Sequence, residues 1–200
     1  VMDEAKRIDY KPSILAQSLR TNKTYTIGLL IPSIDNPYFA TIASEIVFEA
    51  KRYGYTVILL DTLEDEGNES ECINTLLTRS IDGIILVPCG ERPESLEKID
   101  EQTPIVLIDR YFEDTSLSYI CTDNYRGALD GVKLLIENGH KEILCIRGVP
   151  HSMPSKERVK GYIDALRESG FDTRSRIAGN DYSITNGYLE TKLAIGSPAR

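Results

Sequence analysis

From Tyr25 onward, short apolar runs alternate with amphipathic stretches. TIGLLI (26–31) is a continuous β-rich run bounded by Pro32 and predicts a buried strand. Residues 37–53 place Phe39, Ile42, Ala43, Ile46, Val47 and Ala50 at the three-to-four spacing of one helix face. Pro37 suits a first helical turn and Gly54 ends the run. The cycle then repeats. TVILLD (56–61), GIILVP (83–88), PIVLID (104–109), SYICTD (118–123) and EILCIRG (142–148) predict strands. Helices are predicted over 67–79, 93–101, 124–138 and 155–169, with a weaker one over 185–195.

Strands that are apolar on both faces and alternate with helices imply parallel sheets covered on both sides, an α/β fold. Such sheets bind ligands beyond the carboxyl ends of their strands. The first 24 residues have another grammar. VMDEAKRIDY reads as the last turns of a small helix, PSILAQSLR (12–20) as a second short helix and TNKT (21–24) as a polar linker. From SYICTD (118–123) onward the pattern supplies two strands and three helices, too little to close a second α/β lobe. The chain is therefore expected to continue past Arg200 in the natural protein. The expected division is 1–24, 25–122 as an amino-terminal lobe, and 123–200 as part of a carboxyl-terminal lobe.

Charge sharpens this division. The net charge is −8, which argues against a large nucleic-acid surface on the body of the chain. Residues 1–24 nevertheless carry five bases against three acids, so the remainder stands at −10. Cys72, Cys89, Cys121 and Cys145 match no zinc or CxxC spacing and read as packed thiols of a reducing compartment. No run reaches the roughly 18–20 apolar residues of a membrane span, and no secretory signal is evident.

Candidate chemistry lies at the strand tips. PSIDNPYF (32–39) puts Asn36, Tyr38 and Phe39 at a helix start, where aromatic faces suit a sugar or base and an amide reads hydroxyls. Phe39 reads equally as core and Asn36 as an N-cap. Asp109 and Arg110 end the fourth predicted strand and suit either vicinal hydroxyls or a local ion pair. Asp123-Asn124 repeats the theme at the next tip, where Asp123 also fits a cap. Arg158, near a helix start, suits an oxygen-rich ligand or plain solvation. No GxSxG elbow, phosphate loop or nucleophile–base–orienter set is present, so an enzyme is not expected and no cofactor is implied.

PSILAQSLRTNKTYTIGLLIPSIDNPYF, followed in order by GIILVPC, PIVLIDR, TDNYRGA, LLIENGHKEILCIRG and ERVKGYIDAL, resembles the lactose-repressor (LacI/GalR) family of transcriptional regulators. The resemblance runs essentially from Val1 to Arg200. It implies a two-lobed core of the periplasmic-binding-protein type that senses a small sugar-like effector, in a cytoplasmic homodimer that binds operator DNA and no membrane. By position, Asn36, Tyr38, Phe39, Asp109, Arg110, Ser152 and Arg158 would meet the effector. Ser152 stands where purine-type relatives have Arg, which disfavours a purine. Residues 12–20 would be the hinge helix that enters the minor groove, with Leu19 as wedge and Ala16, Gln17 and Arg20 beside it. Gln17 replaces the family's usual Arg. The alternative is a periplasmic sugar-binding protein of a transporter, which would have no use for a hinge helix.

Overall fold

The computed structural model describes residues 23–90, 94–170 and 176–196. Contacts divide the chain into two compact units. Unit 1 comprises the residues up to Ile108 together with Glu113–Tyr119, and unit 2 comprises Asp109–Phe112 and the residues from Ile120. The sequence reading assigned 109–112 to the amino-terminal lobe; here they group with unit 2.

Unit 1 is built on a five-stranded sheet, ordered β2-β1-β3-β4-β5. The strands are β1 (Thr26–Ile31), β2 (Thr56–Asp61), β3 (Gly83–Leu86), β4 (Ile105–Ile108) and β5 (Ser118–Ile120). The β1–β2, β1–β3 and β3–β4 pairings are parallel. Lying inside the sheet, β1 is covered on both faces, and Leu29, Leu30 and Ile31 are fully buried. That explains its unbroken apolar run. Each such side chain contributes about 1.5–3 kcal/mol relative to exposure.

Helices α1 (Pro37–Arg52), α2 (Glu66–Leu77) and α3 (Glu94–Asp100) connect these strands. Asn36 caps α1, its side chain accepting from the Tyr38 N–H, and Pro37 occupies the first turn, where no N–H is needed. Gly54, at φ 77°, ends α1 in the left-handed region. Asp65 caps α2 by accepting from the Asn68 N–H at 2.7 Å.

The loop before β5 is held by Glu97, which accepts from the Ser116 N–H at 2.9 Å and the Thr115 hydroxyl at 3.0 Å. The Ser116 N–H, followed by the Thr115 hydroxyl, draws the Glu97 carboxyl below its ordinary value of 4.5. A depressed carboxyl stabilises the folded loop fully above that ordinary value and loses its contribution as pH falls through the lowered one. Hydrogen exchange at the Ser116 N–H, corrected for intrinsic rate, should therefore lose protection below pH 4.5. Glu97→Gln should remove that pH dependence.

Unit 2 contains α4 (Asn124–Glu137), β6 (Leu144–Ile146), α5 (Met153–Glu168), β7 (Arg176–Ala178) and α6 (Ile184–Gly196). Strands β6 and β7 form a parallel pair. Asp123 caps α4 by accepting from the Arg126 N–H. Helices α4 and α5 cross closely at Gly161, where any larger residue would strike the Tyr125 carbonyl and the Leu129 backbone. Buried Tyr162 donates from its hydroxyl to the Ile143 carbonyl at 2.8 Å, tying α5 to the start of β6. No helix among the described residues is long and apolar enough to cross a membrane.

Candidate functional site

In unit 1 the carboxyl ends of β1 and β2 are joined by one carboxylate. Asp61 accepts from the Ile34 N–H and the Leu63 N–H, each at 2.9 Å, so it fixes the loops that follow both strands. The first of these loops delivers Asn36, Tyr38 and Phe39. Tyr38 is exposed. Phe39 is 4% exposed and packs with Leu29, Ile31, Ala43 and Val87. The two rings meet edge-on, with centroids 5.1 Å apart. Cys89, beyond β3, is held from two sides: its N–H donates to the buried Glu69 at 2.7 Å, and its sulfur lies 3.0 Å from the Thr62 hydroxyl.

In unit 2 the candidate residues gather around Tyr182. Asp109 turns the chain with φ 63°, in the left-handed region, while its N–H donates to the Ile120 carbonyl. That turn sends the Arg110 side chain inward, where it is 5% exposed. The guanidinium carbon lies 5.4 Å from the Tyr182 ring centroid, within cation–π range. The Asp109 carboxylate stands 4.0 Å from Arg110 Nε. Ser152 donates its one hydroxyl proton to the Val149 carbonyl at 2.9 Å. The 2.7 Å contact between Ser152 Oγ and the Tyr182 hydroxyl must then use the tyrosine as donor.

Arg158 is exposed but aimed. Its Nε donates to Asn124 Oδ1 at 2.7 Å, and buried Asn124 donates in turn to the Thr122 carbonyl. Arg158 also borders a pocket of about 160 Å³, whose lining includes Arg147, Ser155, Asp181, Tyr182 and Asn186. Tyr111 donates to Glu157 at 2.7 Å alongside. The Cys121 thiol is pushed up by burial and then by Glu157, Asp109 and Asp123, so it stays protonated and poorly nucleophilic.

Asp109, Arg110, Ser152 and Arg158 thus share unit 2, while Asn36, Tyr38 and Phe39 belong to unit 1. Ala16, Gln17, Leu19 and Arg20 lie outside the described residues. The sequence reading missed Tyr182 and Asp61 and gave Asn124 no partner. Tyr182 had a legible signal: GNDYS, like IDNPY, gathers an acid, an amide and an aromatic near a helix start after a strand, though in a different order. It went unread because β7, at three residues, is too short to announce itself.

This architecture is that of an α/β protein with parallel strands and connecting helices. The profile described as periplasmic binding proteins and sugar binding domain of LacI family matches residues 24–194, and the chain belongs to that family. It is 31% identical over 189 residues to the sucrose operon repressor of Klebsiella pneumoniae, covering 94% of this chain and 57% of that protein. The chain thus spans little more than half the length of such relatives. Among solved structures, transcription regulator CcpA of Lactococcus lactis matches with a TM-score of 0.75 and 28% identity, over 86% of this chain and 65% of that one. A periplasmic binding protein/LacI transcriptional regulator from Alkaliphilus metalliredigens, complexed with D-xylulofuranose, matches with a TM-score of 0.69 and 28% identity, over 80% and 59%.

Proposed function

We propose that the chain is the sensing core of a DNA-binding transcriptional repressor and that its effector is a small sugar or sugar derivative. The observation that carries this reading is the Arg110–Tyr182–Ser152 assembly with Arg158 beside it. An aromatic face covers the apolar side of a sugar ring, while guanidinium and hydroxyl groups meet its oxygens. Asn124 holds one nitrogen of Arg158 and leaves the others for the ligand, so less freedom is lost on binding. In unit 1, Tyr38 is exposed on the loop fixed by Asp61, and its aromatic face suits a sugar ring as well.

The names of the relatives favour a repressor over a transporter's binding protein, and an operator-bound repressor works in the cytoplasm as a homodimer. Its task is binding, not turnover. The effector acts through its different affinities for two conformational states of the protein, which differ in their hold on DNA. Residues 12–20 are proposed to be the hinge helix that reports the state to the operator.

Calorimetric titration of a sugar panel tests the site. Arg158→Ala and Tyr182→Ala should each weaken the sugar that binds by about tenfold or more, equivalent to about 1.4 kcal/mol. Tyr182→Phe keeps the ring and should fall between wild type and alanine. Unchanged affinity in both alanine variants would remove the effector from unit 2.

A further inference from the structure

The edge of the unit 1 sheet where strands begin carries a second carboxylate clamp, remote in function from the strand tips. Thr26, Thr56 and Gly83 start the three neighbouring strands β1, β2 and β3. Asp82 immediately precedes β3. Its Oδ1 accepts from the Thr24 N–H at 2.7 Å and the Thr24 hydroxyl at 2.9 Å, and its Oδ2 accepts from the Tyr25 N–H at 2.9 Å. One side chain therefore fixes two successive residues of the segment leading into the sheet.

The corner it fixes is one the chain would not choose. Tyr25 has φ 52°, a left-handed conformation disfavoured for a large residue. The corner is braced further by the Thr56 N–H donating to the Tyr25 carbonyl at 2.8 Å and by the Asp82 N–H donating to the Thr26 carbonyl at 2.8 Å. The Tyr25 and Tyr55 rings lie 5.5 Å apart. The two backbone braces belong to the strands. Asp82 adds side-chain acceptors for the Thr24 and Tyr25 N–H groups just upstream of β1, so the direction in which the chain departs from the sheet is tied to this carboxylate.

We propose that Asp82 is a positioning residue that holds the Thr24–Tyr25 corner in its left-handed turn and so sets the direction of the amino-terminal segment for DNA binding. This rests on the repressor reading above. The sequence pattern fits, since TNKT (21–24) is polar and carries no apolar residue that could hold the segment by burial. Hydrogen bonds to a carboxylate, stronger than those between neutral groups, take over that role.

Hydrogen exchange of Asp82→Ala and Asp82→Asn, in the full regulator, tests the clamp directly. The alanine variant should exchange the Thr24 and Tyr25 amides about tenfold faster or more, the scale set by losing charge-assisted hydrogen bonds. Asparagine retains one oxygen acceptor and should spare one of the two amides. Protection of the Leu29 and Leu30 amides should stay as in wild type, showing an intact sheet. The same variants should weaken operator binding about tenfold while leaving sugar affinity within about twofold. Should alanine unfold the sheet, asparagine together with Thr24→Val, which removes the hydroxyl contact, carries the test.

Unchanged exchange at both amides overturns the clamp. An opened corner with unchanged operator affinity overturns its role in directing the segment. If the unsubstituted regulator binds no DNA, the repressor reading fails, and the exchange measurement still decides whether Asp82 holds the corner.

Discussion

Phe39→Ala is expected to cost unit 1 about 3–5 kcal/mol of stability, the range for deleting a buried phenylalanine ring. The ring is 4% exposed and packs with Leu29, Ile31, Ala43 and Val87, with Ile46 and Leu59 at the margin of the cluster. Alanine would leave a ring-sized void among residues anchored to β1 and α1, which cannot collapse without bending the sheet. Exchange of the Leu29 and Leu30 amides with urea reads this loss in unit 1 specifically, which matters because two units need not unfold together. Phe39→Leu, which fills most of the void, should recover most of the loss. The sequence left Phe39 open between core and effector contact, and its burial favours the core. A folded Phe39→Leu protein with native stability and tenfold weaker sugar binding would return the ring to the effector.

Gly161→Ala should destabilise unit 2 by about 1–3 kcal/mol, the usual cost of forcing a methyl group into a packed contact. An added Cβ would fall on the Tyr125 carbonyl oxygen and lie 3.0 Å from the Leu129 nitrogen. Both are backbone atoms of α4, so no rotamer change relieves the clash and the helices must separate. The ordinary effect of this substitution in a helix is opposite in sign, a gain of about 0.5–1 kcal/mol from reduced backbone freedom. Gly131 on α4 has open space where its Cβ would be and serves as the internal contrast. Gly131→Ala should raise the thermal midpoint and Gly161→Ala should lower it. If both shift upward, the helix crossing is looser than these distances state.

Much of the fold was legible because its parallel strands are apolar on both faces and its helices carry periodic apolar stripes. The expected α/β fold and the family resemblance both hold. Strand ends were less legible. The pattern of SYICTD predicts a strand over 118–123, but β5 stops at Ile120 because Asp123 is used to cap α4 and the Thr122 carbonyl to anchor Asn124. PIVLID predicts a strand through 109, but the left-handed turn at Asp109 ends β4 at Ile108. That turn also decides the fate of Arg110. Adjacency in sequence suggested an ion pair with Asp109, and the two groups do stand 4.0 Å apart, but it gave no hint of the Tyr182 ring, whose centroid lies 5.4 Å from the buried guanidinium. Nothing local to Arg110 could have announced an aromatic so far along the chain. The Asp61 and Asp82 clamps were equally invisible, since each grips backbone N–H groups and backbone positions leave no trace in residue identity.

The passage of the chain from Ile108 into unit 2, back at Glu113 and out again after Tyr119 sets an order of completion on the ribosome. A nascent polypeptide halted at Ile108 has β1 to β4 but lacks β5, so its first sheet has an unfinished edge. The tetrapeptide Asp109–Phe112 emerges next, well before Glu157 and Tyr182 are synthesised to receive Tyr111 and Arg110. Neither half can be excised by a single cut, and fragments broken at either side of that tetrapeptide should be poor substrates for independent folding.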